Sequence, residues 1–158
     1  MMRFLRATAL RWRMGLAVLC LTLVTLISSC TPYREDYFGT WVGLDEYPAN
    51  FVVYEYFISD SGNDSTCSVK VIRRSYELNE DRTAVVWTES LPHYFPGVYS
   101  DDGTVRTAFG VLSYEISSGN LVYNGIRFTK KARNTEIKLQ QVARSQAARV
   151  FPDLPIED

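Results

Sequence analysis

His93 is the single histidine of the chain, set in Pro92-His93-Tyr94-Phe95-Pro96. A general base or a metal ligand needs a partner of the right type and spacing. The nearest acid in sequence is Glu89, and no cysteine pair flanks it, so His93 reads as a loop side chain at the mouth of a domain. Asp60-Ser61-Gly62-Asn63-Asp64 and Asp101-Asp102-Gly103 carry oxygen ligands in the style of calcium loops. Neither is followed by the bidentate glutamate of an EF-hand, and turn chemistry explains both. There is no glycine-rich phosphate loop and no Gly-X-Ser-X-Gly. These absences predict a non-catalytic protein with no cofactor and no metal.

The cysteines separate by position. Cys20 lies inside Met14–Ile27, an uncharged apolar run of fourteen residues preceded by Arg3, Arg6, Arg11 and Arg13 without an acid. A basic start followed by an apolar stretch shorter than the roughly 18–20 residues of a spanning helix has the form of an export signal. Leu26-Ile27-Ser28-Ser29-Cys30 closes it and resembles the lipobox of bacterial lipoproteins. That resemblance implies cleavage before Cys30, acyl chains on its sulfur and amine, and attachment to a bilayer. Thr31 in the following position, in place of Asp, implies sorting to the outer membrane. An uncleaved anchor and a plainly secreted protein are the alternatives. Cys67 would then be the one free thiol of the mature chain, a small apolar residue in a strand, and the fold must rest on packing without a disulfide.

Removing residues 1–29 takes away four of the 17 basic residues and none of the 18 acids, leaving 13 against 18 and a net charge of −5. An acidic mature protein is a poor nucleic-acid binder. The remaining 129 residues have room for one domain. Residues 30–36 read as a lipidated tether, 37–151 as the domain and 152–158 as a flexible tail.

Short aromatic and β-branched runs separated by turn residues fill the region from Tyr37 to Lys131. Strands are expected at Tyr37–Gly43, Phe51–Ile58, Thr66–Leu78, Arg82–Ser90, Thr104–Ser117 and Leu121–Lys130, with a loop at Asp45–Asn50. Phe51–Ile58 is apolar on both faces apart from Glu55, so it should be covered on both sides or line a cavity. Leu91–Tyr99 carries Pro92 and Pro96 and reads as an irregular aromatic loop. Leu139, Val142, Ala143, Ala147, Val150 and Phe151 recur at helical spacing behind Asn134, a candidate N-cap, and Pro152 ends the helix.

The expected class is mainly β: a small antiparallel barrel, or a curled β-sandwich, of six to eight strands with one C-terminal helix. Gly39-Thr40-Trp41 at the first strand resembles the Gly-X-Trp signature of lipocalins and the wider calycin group. The resemblance implies an eight-stranded up-and-down barrel, with Trp41 plugging its closed end and a late cation, Arg127 or Arg133, packed over the indole. If the sheet closes, Phe51, Tyr54, Tyr56, Trp87, Tyr94 and Phe95 are the candidate lining of an apolar ligand pocket. Residues 127–149 hold seven cations against Glu136 alone, a solvated helix face or a contact for anionic lipid. The functional expectation is a lipid-anchored envelope module that holds an apolar ligand. The alternative is a protein-interaction component that uses residues 91–99 as its contact surface.

Overall fold

The computed structural model describes residues 32–46 and 51–158. The leader, the Leu26–Cys30 motif and residues 47–50 of the 45–50 loop lie outside them. A short 3-10 helix, Arg34–Tyr37, precedes the strands β1 (Gly39–Asp45), β2 (Val52–Asp60), β3 (Thr66–Leu78), β4 (Val85–Glu89), β5 (His93–Tyr99), β6 (Val105–Thr107), β7 (Gly110–Glu115), β8 (Asn120–Tyr123) and β9 (Ile126–Lys130). Helix α1 (Thr135–Val150) and a two-residue strand β10 (Ile156–Glu157) follow. No described helix is long and apolar enough to cross a membrane.

Eight of these strands close into an antiparallel barrel, in the ring order β1-β2-β3-β5-β6-β7-β8-β9 with β9 returning to β1. The sandwich is therefore not the architecture. Each strand pairs with its predecessor in the ring, as an up-and-down barrel requires. β3 is long enough to serve two partners. Its first half, Thr66 to Val71, pairs with β5, and its second half, Arg74 to Leu78, pairs with β4, which leaves the barrel wall and picks up β10 in parallel.

Alternation along each strand sorts side chains between two cores. Trp41, Tyr56, Ile58, Cys67, Val69, Val105, Leu112, Leu121 and Phe128 fill the barrel. Val42, Val53, Tyr76 and Val85 face outward, where Ala143 and Ala147 of α1 cover them. β2 is thus covered on both sides around Val53, while Phe57, further along its outer face, stays 44% exposed. Gly43 is needed for the fit: a Cβ there would stand 2.7 Å from the Phe128 ring.

Three segments differ from expectation. His93–Tyr99 is a strand despite Pro96. The Tyr99 amide donates to Ser65 O on the β3 side, so by alternation the Pro96 nitrogen faces the other edge, where pairing with β6 begins only at Gly97. Thr104–Ser117 is a hairpin, turned at Ala108-Phe109 with the Thr107 hydroxyl donating to Gly110 O at 2.9 Å. Leu121–Lys130 is likewise two strands, turned at Asn124-Gly125, both at positive φ (49° and 83°). These two hairpins raise the strand count to eight.

Both ends of the domain are more ordered than expected. The compact unit begins at Pro32, before the expected boundary at Tyr37. The supposed flexible tail is pinned by β10, by Val85 N–H donating to Pro155 O at 2.9 Å and by Tyr76 OH donating to Asp158 at 2.5 Å. Leu154 and Ile156 pack on the outer core, which is what holds it.

Candidate functional site

The two ends of the barrel are built differently. At one end the 3-10 helix lies across the opening and presents Tyr37 inward, 1% exposed. Its hydroxyl donates to Gly103 O at 2.6 Å and accepts from the Tyr114 amide at 3.1 Å. Burial pushes this phenol up to about 12, against the opposing effect of the Tyr114 amide. Trp41 sits beneath it, wholly buried, its Nε1 donating to Tyr37 O at 2.7 Å and the Tyr114 ring 6.0 Å away edge-on. Trp41 therefore lies in the closed end of the barrel.

The cation over the indole is Lys130, its Nζ 5.1 Å from the ring centroid. Arg127 is not in that place: its guanidinium is outside, 3.1 Å from Glu115. Strand parity is the reason. Trp41 pairs with Lys130 across β1 and β9, and Lys130 shares the inward side with Phe128, whereas Arg127 pairs with outward-facing Val122. Arg133, the other candidate, lies beyond β9 and is exposed.

At the opposite end the barrel is open, and a cavity of about 350 Å³ occupies its mouth. Tyr54 and Tyr56 from β2, Val71 from β3, Phe95 from β5, Phe109 from the β6–β7 turn and Tyr123 from β8 form its walls. Arg73, Ser90 and His93 stand at the rim. The rings brace one another: Phe109 is edge-on to Phe95 at 4.9 Å and to Tyr123 at 5.3 Å, and Tyr56 stacks on Phe128 at 4.6 Å. Tyr123 OH donates to Phe109 O at 2.8 Å, which ties the turn to the wall. Burial raises the Tyr56 phenol well above the usual tyrosine range and moves the Tyr54 phenol in the same direction. The cavity is apolar along its walls and polar at its exposed rim, the chemical pattern of sites for small, mostly apolar molecules.

Of the sequence-predicted lining, Tyr54, Tyr56 and Phe95 are brought together here. Phe51 and Trp87 are not: they pack on the outer core, with the Trp87 ring 4.7 Å from Tyr76 on the strand that leaves the barrel. Tyr94 points out of the barrel and is 66% exposed, since on β5 the odd-numbered residues face in. Phe109, Tyr123, Val71 and Arg73 were missed. Asn124-Gly125 directly after Tyr123 is the signal that could have placed it at a turn. Arg73 follows the inward parity of Val69 and Val71.

Cys67 is buried and free, its thiol pushed up by burial, in keeping with a packing role. The acidic turns hold themselves together: Asp60 accepts from the Gly62 amide at 2.8 Å, and Asp102 from the Thr104 amide at 3.1 Å and its hydroxyl at 2.6 Å. On the outer face Glu55 and Glu136 bind Arg74 and Lys131, and Glu89 binds Arg74 at 2.6 Å.

No protein-family model, no curated protein and no solved structure matches the chain.

Proposed function

We propose that the chain is an envelope lipoprotein, acylated at Cys30 and held at the outer membrane, whose barrel is a non-catalytic carrier of a small apolar ligand. The observation that carries this reading is the aromatic cavity at the open end, set opposite a plugged one. Its volume of about 350 Å³ is at the small end of the range for ligand sites, ~300–1,000 Å³, so a single ring system or a short chain fits better than a full lipid. Arg73 and His93 at the rim favour a polar or acidic group on the exposed end of that ligand.

Titrating the leaderless protein with a fluorescent hydrophobic probe tests the site. One saturable site is expected, with at least tenfold weaker binding in Phe109→Ala or Phe95→Ala and unchanged binding in Tyr94→Ala. A linear, unsaturable signal, or equal loss in all three variants, would reject it.

A second reading has its own observation. Tyr94 and Val98 lie on the outward side of β5, and Leu91 (82% exposed) just precedes the strand, so that exposed apolar side chains suited to a protein partner gather there. Crosslinking in the intact envelope separates the two readings, because Tyr94→Ala disturbs only that outward surface and Phe95→Ala only the cavity.

A further inference from the structure

The proposed anchor leaves very little slack. Cys30 precedes Pro32 by two residues, and two residues span at most about 7 Å of extended chain. From Pro32 onward the chain is fastened to the closed end of the barrel. Gly103, at φ +75°, receives the Pro32 ring where a Cβ would stand 2.8 Å from it. The Tyr33 amide donates to Asp36 at 2.8 Å, and Tyr37 OH reaches Gly103 O. Arg34 is clamped by Asp60 and by Asp64, the latter at 2.8 Å, and lies 5.6 Å over the Phe38 and Tyr99 rings. What looks in sequence like a tether is part of the barrel's floor.

We propose that this closed end is the surface laid against the lipid headgroups and that the mouth is held away from the anchoring leaflet. The inference rests on the acylation at Cys30 proposed above. Acyl chains that begin within about 7 Å of Pro32 bring the turns of that end, 61–65, 100–104 and 116–119, to the headgroup layer. Tyr33 (73% exposed) and Ile116 (50% exposed) project from it, and an exposed phenol beside an apolar side chain suits an interface that is greasy on one side and wet on the other. The mouth lies at the far ends of the same strands, roughly 15–20 Å away given the seven residues of β5.

Charge is not what sets this orientation. Arg34 is shared by Asp60 and Asp64 and offsets only one of their two charges, Arg106 pairs with Asp102 at 3.5 Å, and Glu35, Asp36 and Asp101 add further acids, so this end carries no excess of cations to draw it to an anionic leaflet. The basic segment 127–149 is spent in part on internal pairs, Arg127 with Glu115, Lys131 with Glu55 and Glu136, and Arg144 with Asp158. Covalent reach then dictates the geometry, and the ligand must enter from the aqueous side or from an opposing surface, not by the mouth dipping into the membrane that holds the anchor.

The test uses the full acylated chain in vesicles of phosphatidylethanolamine and phosphatidylglycerol carrying a headgroup quencher. A dye is placed on Ile116→Cys at the closed end or on Leu91→Cys beside the mouth, the unsubstituted protein correcting for buried Cys67. Quenching at position 116 should exceed that at 91 by threefold or more, equally at low and high salt. A flexible Gly/Ser insert of about twenty residues between Thr31 and Pro32 should erase the difference, since such a chain spans about 25 Å on average. Equal or stronger quenching at 91 in vesicle-bound protein overturns the orientation alone. Protein that fails to float with the vesicles, its Cys30 unmodified by mass, overturns the anchor and the orientation with it.

Discussion

Tyr37 concentrates the chemistry of the closed end in one phenol. Replacing it with Phe removes the bond to Gly103 O and leaves the Tyr114 amide without that acceptor; a loss of about 1–3 kcal/mol is expected in urea unfolding. The same group sets an alkaline limit. Its folded value of about 12 stands above the 10.0 of a free tyrosine, so its proton is held more tightly in the folded state. That contribution is complete below pH 10 and is lost as pH climbs from 10 to 12. Tyr56 and Tyr99 shift in the same direction. Unfolding midpoints followed with tyrosinate absorbance should fall across that window in the wild type and fall less in Tyr37→Phe. At this scale the sequence was legible where a residue type is tied to one job, as with Trp41. It was not legible where strand parity decides: Arg127 and Lys130 are both late cations, Tyr94 and Phe95 are both aromatic, and only the register puts Lys130 over the Trp41 ring and Phe95 in the cavity wall.

Helix α1 was legible because its periodicity is local. Its contact stripe is Leu139, Ala143, Ala147 and Phe151, an i, i+4 series, while Val142 and Val150 stay largely exposed. Small residues in the middle let the helix approach Val42 and Val53 closely. Ala147→Asp puts a carboxylate into that contact and should destabilise the domain by about 3 kcal/mol or more. The cavity lies on the other face of the sheet, so probe affinity measured where the variant is still folded should remain unchanged. The ion network under the start of α1 adds a pH term of opposite sense to Tyr37. Burial alone would raise the Glu55 carboxyl, but hydrogen bonds from Lys131 and Arg74 outweigh it and hold it below its usual range. Its stabilisation is present above pH 4.5 and lost as pH falls below that value; Glu55→Gln should flatten the acid limb of the stability curve. The hairpins were harder to read. Asn124-Gly125 is a strong turn signal lost within an apolar run, whereas Thr107-Ala108-Phe109-Gly110 holds no Asn, Asp or Pro and turns through a threonine hydroxyl.

For the whole molecule, the aromatic richness of the chain fits a barrel that must fill its own floor and line its own mouth. Composition shows that a pocket is affordable; it does not show which rings remain uncovered, because that depends on closure between β9 and β1 and between β5 and β3, pairings distant in sequence. In the function proposed for the chain, the closed end and the outer core hold the barrel rigid while the open mouth takes the ligand. Native mass spectrometry of the protein isolated gently from the cells that make it tests that proposal most directly. The account predicts one small ligand bound per chain, retained in Tyr94→Ala and absent from Phe109→Ala. A bare protein mass in the wild type, with no uptake of added hydrophobic probe, would contradict it.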